Sequence, residues 1–327
     1  MISERAFATL LLVGLLLVPL WAAFVDAPFT ITLATRVSIL ALAAVGLNIA
    51  LGVGGLVSLG HAIFFGLGGY AMGVLASHAQ SYTPLQLVGL TIAGSKSMPI
   101  IWITAISISA LAAFAIGALS LRTSGVYFIM ITLAFGQMFY YFFISWSAYG
   151  GEDGLSIHVR NSFPALNTLV PLQFFGVCFT LLCLVLLFNA RLARSPFGLA
   201  LNAARQVPAR AESVGLSPRR LKLVAFIISG AITGLAGALF ADLNRFVSPA
   251  MFSWQLSGEL MILVILGGVG RVVGPVAGAV VFVLLEHFLV ELTDFWHIFL
   301  GAILLIIVLF ARGGIVGLIC GEKRANG

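Results

Sequence analysis

Charged side chains are scarce in this chain. They make up 9% of its 327 residues, where a soluble domain carries about 25%. Hydrophobic residues reach 61%, so too few polar groups remain to cover a surface that faces water. This excludes a soluble globular protein and points to an integral membrane one. Cysteine is also scarce. Cys178, Cys183 and Cys320 show no metal-ligand spacing, and two lie in one apolar run, where they read as packing residues. The sequence contains no H-E-x-x-H, G-x-S-x-G, C-x-x-C or EF-hand pattern. Gly89–Ser97 (GLTIAGSKS) approaches a phosphate-binding loop, but one residue too many precedes the lysine. The expectation is a chain that is not an enzyme and binds no metal or nucleotide of its own. The net charge of +6 resides in short loops beside apolar runs, which reads as membrane orientation and not as nucleic-acid binding.

What the chain has in abundance is apolar run. A membrane-spanning helix needs about 20 such residues. Ten candidate spans fall near 6–24, 32–52, 56–77, 99–121, 125–145, 168–190, 219–243, 256–270, 272–291 and 295–312. The run Ala6–Phe24 is longer than the core of a secretion signal and no A-x-A site follows, so it reads as a retained first helix. The fold class expected is all-α: a polytopic transmembrane helical bundle of about ten segments, some broken or short, in one transmembrane domain over residues 1–327.

Charge orients this bundle. With both termini inside, thirteen of the seventeen Lys and Arg fall on the inner side, Arg5, Arg122, Arg271, Arg312, Lys323 and Arg324 among them. Only Arg36, Lys96, Arg160 and Arg245 fall outside, together with most of the acids, including Asp26, Glu152, Asp153, Asp242, Glu291 and Asp294. An inner excess of basic residues is the rule for membrane proteins.

Two regions depart from plain helix. Arg191–Lys222 is long, polar and basic, with Glu212 its one acid. Pro208 suits the first turn of a short helix over PARAESV and Gly215 its C-terminal cap. Ser217 and Pro218 then read as the N-cap and first residue of the next helix. The second region is Leu47–Gly73 (LNIALGVGGLVSLGHAIFFGLGGYAMG), whose glycines at 52, 54, 55 and 60 interrupt a membrane helix. Leu266–Pro275 (LGGVGRVVGP) carries a similar interruption. Freed backbone groups are tolerated in a membrane only against protein or a water-lined cavity, so paired interruptions point to a translocation path. Ser58 and His61 are expected to help satisfy the freed backbone. Gly69/Gly73, Gly230/Gly234 and Gly274/Gly278 fit close helix packing. Glu259, Glu286 and His287 lie within about two turns of a span end and read as side chains reaching for the interface.

These stretches, with Leu121–Phe139 (LRTSGVYFIMITLAFGQMF), Gly150–Leu155 (GGEDGL), Arg194–Ala241 and Leu260–Val281, together resemble the LivM-like permease subunits of branched-chain amino-acid ABC importers. The resemblance covers roughly Leu47 to Gly317. It implies a subunit in the bacterial cytoplasmic (inner) membrane that pairs with a homologous LivH-like permease. Two cytoplasmic ATPases, which hold ATP and Mg, would drive it, and a periplasmic binding protein would deliver substrate. It implies that the 191–222 loop docks on an ATPase through Ala203, Ala204, Arg205, Pro208, Ala209, Arg210, Ala211, Glu212 and Gly215. Arg205, Arg210 and Glu212 would orient the short helix while Ala209 and Ala211 allow close approach. Asn48, Gly54, Gly55, Ser58, His61, Gln137 and Glu259 are the candidate residues of the translocation path. Glu152 departs from the smaller or neutral residue common in relatives, at a place where a binding protein would dock. Urea permeases belong to the same group, so the solute stays open between hydrophobic amino acids and urea or amides. An ion-coupled secondary transporter is the rival class, disfavoured by the large basic loop and the lack of acids deep in several spans.

Overall fold

The computed structural model describes residues 3–321 apart from 82–84, 88–89, 93, 159, 164–165, 294 and 311–312. Arg312, Lys323, Arg324, Asp294 and part of the Gly89–Ser97 stretch therefore lie outside the described residues. Thirteen α-helices are described. In chain order they are α1 (Glu4–Phe24), α2 (Pro28–Asn48), α3 (His61–Ser81), α4 (Met98–Ser120), α5 (Val126–Ser145), α6 (Pro171–Arg194) and α7 (Pro196–Gln206). They continue as α8 (Pro208–Ser213), α9 (Pro218–Asn244), α10 (Trp254–Gly267), α11 (Gly274–Leu292), α12 (Trp296–Phe310) and α13 (Gly314–Cys320). Proline opens α2, α6, α7, α8 and α9, where its missing N–H would have no intrahelical partner in any residue.

Eight of these helices are long and apolar enough to cross a membrane, and α10 and α12 are shorter apolar helices. The ten correspond one for one to the expected spans. At 14 residues α10 rises only about 21 Å, less than the roughly 30 Å of a hydrocarbon core. Three boundaries differ from expectation. The third span starts at His61 and not near residue 56, because residues 54–60 are non-helical. The 191–222 loop holds two helices, α7 and α8, where one was expected. A further short helix, α13, follows the last span.

The bundle is organised around α2, which is 89% buried over its most apolar stretch against 17% for α1. It packs on α9, α6, α11, α10 and α1. α3 and α9 pack backbone to backbone, so that a Cβ on Gly68 would run into the Gly234 carbonyl. Of the two expected glycine pairs in these helices, Gly234 thus makes the contact and Gly68, beside Gly69, receives it. Such small residues let backbones touch where apolar burial gives no drive between helices in lipid. Around this contact an aromatic cluster forms from the short turn Pro249–Phe252. Phe252 stacks on Phe143 with ring centroids 4.3 Å apart, and Tyr70 lies 4.3 Å from Phe143.

The two ends of the bundle differ. One gathers the α2–α3 break, the α4–α5 turn, α7 and α8, the α10–α11 break and α13. The other gathers the segments that precede α4 and α6 and the one that follows α9. There β3 (Leu155–Ser156) pairs antiparallel with β4 (Phe246–Val247), while β1 (Leu85–Leu87) and β2 (Leu90–Ile92) form a hairpin before α4.

Candidate functional site

The candidate site is built on the end that carries the basic loop. Ser195 caps α7 by accepting from the Gly198 N–H at 3.2 Å, the same Ser-Pro start seen at Ser217–Pro218. α7 turns its small apolar face inward, with Leu201 and Ala204 buried. The chain turns at Val207 into α8, and Gly215, at φ +85°, ends α8 in the left-handed conformation expected of a cap. On α8 only Ala211 is buried, while Pro208, Ala209, Arg210 and Glu212 face out. Ala211 therefore seats α8 on its own subunit, and the expectation that it gives a partner room for close approach is corrected. Ala204, expected among the docking residues, is 0% exposed and also packs on its own subunit. Ala203 is exposed, and with Leu199, Val207 and Val214 it gives this basic element an apolar outer surface.

Arg205 also differs from expectation. Its Nη1 donates to the carbonyl of Gly52, so it reaches into the membrane portion of the chain. Gly52 lies in Ile49–Val53, a π-helical turn that continues α2. Beyond it Gly54 and Gly55 donate back to the Ile49 and Leu51 carbonyls at 3.1 and 3.2 Å, and Leu56 to that of Ala50 at 2.9 Å. Gly55 takes φ +68°, and a Cβ there would press on the Arg205 side chain at 2.9 Å. The aliphatic stem of Arg205 thus lies over a position where only glycine leaves room.

The two glycine-rich interruptions meet. Asn48, buried at the last turn of α2, accepts from the Gly270 N–H at 2.9 Å and donates to the Arg271 carbonyl at 2.8 Å. A Cβ on Gly52 would fall 2.6 Å from the Gly270 nitrogen and would overlap the Asn48 side-chain oxygen. Arg271 is itself buried. Its Nη2 donates to the Gly321 carbonyl at 2.8 Å and its Nη1 to that of Val316 at 3.5 Å, so it closes the C-terminal end of α13.

The non-helical segment 54–60 is satisfied from several directions. Ser58 accepts from the Gly60 N–H at 3.2 Å, as expected. His61 does not bond to the freed backbone. Its Nε2 lies 2.8 Å from the Ser229 hydroxyl on α9, its ring meets Phe64 and Phe226 edge-on at 5.4 Å, and its Nδ1 has no hydrogen-bond partner among the described residues. At the start of α3 the Ala62 N–H is met by Ser257 of α10, whose hydroxyl accepts from it at 2.9 Å, and the Ile63 N–H by the Gly60 carbonyl at 3.0 Å. Ser229 and Ser257 are site residues that sequence reasoning missed. Isolated serines in apolar runs were the available signal.

Gln137 and Glu259 are not brought to this cluster. Gln137 is half-buried on α5. Glu259 lies in the field of Arg36 and Glu286. Arg36 precedes Asn48 by twelve residues on α2, about 18 Å along the helix. Arg36 and Glu286 form an ion pair at 2.9 Å. The expectation that Glu286 reaches for the interface is corrected, since α2 and α11 each supply one partner of a pair.

At the opposite end, Asp242 accepts from the Asn161 amide side chain at 3.0 Å. Arg160 stacks over Phe174 at 4.4 Å. A cavity of about 320 Å³ opens there, lined by Thr32, Thr35, Arg160, Phe174, Asn244 and Arg245. Burial lowers the pKa of the Arg160 guanidinium, with the Asp242 carboxylate opposing. Glu152 and Asp153 are exposed at this end. No group of three or more potential metal ligands occurs among the described residues.

A polytopic helical bundle with interrupted spans and a separate helical element on one face is the architecture of a membrane transport protein. The family described as branched-chain amino acid transport system / permease component matches residues 29–309, and the chain belongs to it. It is 28% identical to the high-affinity branched-chain amino acid transport system permease protein LivM of Escherichia coli K12, over 94% of this chain and 74% of that one. It is 30% identical to the probable branched-chain amino acid transport permease protein LivH of Methanocaldococcus jannaschii, over 31% of each chain. The autoinducer 2 import system permease protein LsrC of Escherichia coli O9:H4 is 25% identical over 69% of this chain and 67% of its own. No solved structure matches the chain.

Proposed function

We propose that this subunit, as a single permease domain, forms with a homologous permease the path by which branched-chain or other hydrophobic amino acids cross the bacterial inner membrane. The observation that carries the substrate reading is the similarity to LivM over 94% of the chain. The subunit hydrolyses nothing itself. Two cytoplasmic ATPases supply the work with their own ATP and Mg, and a periplasmic binding protein delivers the solute. The termini and the 191–222 loop lie in the cytoplasm.

The α7–α8 element is the contact with the ATPase. Its outward residues Ala203, Pro208, Ala209, Arg210 and Glu212, with the exposed Val207 and Val214, form a small apolar surface ringed by charge. That is the anatomy of a docking surface, an apolar centre with a polar rim. The glycine-broken ends at Asn48–His61 and Gly268–Val273 form the inner part of the path. At the other face, the Arg160–Arg245 cavity suits a carboxylate from the binding protein.

The autoinducer 2 permeases among the relatives show that the wider group handles more than one solute class. The test is co-purification of the subunit with its ATPases in mild detergent, then reconstitution with the binding protein and ATP. Uptake of labelled leucine with no uptake of urea is the expected outcome. Uptake without ATP or a binding protein would point to secondary transport and overturn the proposal.

A further inference from the structure

The basic loop and the two helix interruptions are joined by hydrogen bonds at both ends of the turn that links Asn48 to Gly52. Arg205 of α7 donates to Gly52. Four residues earlier Asn48 holds Gly270 and Arg271, and Arg271 holds Val316 and Gly321. Each bond crosses between segments far apart in sequence. Gly52 is set against Gly270 so closely that a methyl group would not fit between them, so a shift of one backbone is passed to the other by contact as well. Packed elements of this kind hold discrete arrangements and do not deform continuously.

From this geometry we propose that Arg205 and Asn48 are positioning residues of a relay. Arg205 ties the ATPase-facing element to the inner end of the central helix α2, and Asn48 makes the α10–α11 interruption move with it. The proposal rests on the reading of α7–α8 as the ATPase contact. Arg205 is suited to the role because it lies on the exposed face of α7, its stem runs over Gly55 and its guanidinium ends on the Gly52 carbonyl in the last turn that continues α2. A guanidinium at a helix C-terminus is favoured by the helix dipole. When α7 moves, that one bond either carries α2 along or lets go. Asn48 is suited because its amide both donates and accepts, and it uses the two functions on consecutive backbone groups of one turn. Alanine offers neither and aspartate only the acceptor.

The experiment uses the whole reconstituted complex, with binding protein, ATP and labelled leucine. The readout is uptake per ATP hydrolysed, which a lower yield of complex leaves unchanged. Wild-type leucine uptake is measured first and tests the substrate reading on its own. Arg205→Ala is expected to lower the ratio at least tenfold. Arg205→Lys should recover most of it, since an ammonium can still donate to the Gly52 carbonyl. Asn48→Ala should lower it comparably, and the double variant should be no worse than the worse single one, because both interrupt one path. A wild-type ratio in Arg205→Ala, no recovery in Arg205→Lys, or additive losses in the double variant overturns the relay. So does a fall in assembled complex with the ratio intact, the mark of a merely structural bond. Ala209→Trp is measured in parallel. If it strips off the ATPases while Arg205→Ala keeps its ratio, the docking surface stands and the relay falls. If Ala209→Trp leaves both assembly and uptake intact, the docking surface falls as well.

Discussion

Arg36 of α2 and Glu286 of α11 are joined by an ion pair of 2.9 Å although 250 residues separate them. The pair ties the central helix to the helix that follows the α10–α11 interruption. Its two side chains are 35% and 15% exposed, so neither is fully shed of solvent in the isolated subunit. Removing one partner leaves a half-buried charge alone, at a cost of about 1–3 kcal/mol. Arg36→Leu or Glu286→Leu is expected to lower the melting temperature of the purified subunit. The double substitution should melt above either single variant, because an apolar pair of similar size removes the stranded charge. Melting of both singles at the wild-type temperature would show that the pair contributes nothing to stability.

The two alanines of α8 have opposite surroundings, and their substitutions should separate accordingly. Ala209 is exposed and Ala211 is 5% exposed. Ala209→Trp is expected to leave the subunit's thermal stability unchanged while abolishing co-purification of the ATPases. Ala211→Trp has to displace α8 from its seat, an overpacking that costs about 1–3 kcal/mol. It should therefore lower the melting temperature of the subunit by itself. Reading both by thermal melt and pull-down checks the assignment of faces, and equal behaviour of the two variants would contradict it.

This contrast marks where the sequence was legible and where it was not. The ten spans follow from apolar runs, and the starts of five helices coincide with proline, because both signals are local. α7 was missed although Ser195–Pro196 repeats the Ser-Pro start read correctly at Ser217–Pro218. Its apolar residues Phe197, Leu201 and Ala204 recur at helical spacing, whereas Arg205 is the one basic residue of α7, so the helix shows in the period and not in the charge of the loop. The two interruptions were visible as glycine runs, and Asn48 was among the candidates for the path. That Asn48 grips Gly270 and Arg271, more than 220 residues away, is a tertiary fact with no local signature. The same is true of Ser257 at the start of α3 and Ser229 against His61. Arg205 was chosen for its charge, but the direction of its side chain depends on how α7 lies across the end of α2.

The orientation of the bundle is testable through residues that the structure places at its two ends. The Lys96 carbonyl accepts from the Ser162 N–H at 2.8 Å, which puts Lys96 at the same end as the 147–170 segment that carries Glu152. Arg210 lies on α8, and the neighbouring Glu212 lines a cavity of about 290 Å³ together with Leu121 and Gly125. Those two residues sit just beyond the far end of α4 from Lys96. α4 has 23 residues and rises about 34 Å, enough to cross the hydrocarbon core and keep the two sets of residues on opposite sides. The excess of basic residues is the ground for the proposal that the Arg210 side faces the cytoplasm. In a background with Cys178, Cys183 and Cys320 changed to alanine, single cysteines at Lys96 and Glu152 are expected to react with an impermeant maleimide in intact spheroplasts. A cysteine at Arg210 should react only after permeabilisation. The reverse pattern would invert the bundle and move the ATPase surface to the wrong side. Reaction at Lys96 and Arg210 alike would mean that α4 does not cross the membrane, and both the docking surface and the relay built on it would fail with it.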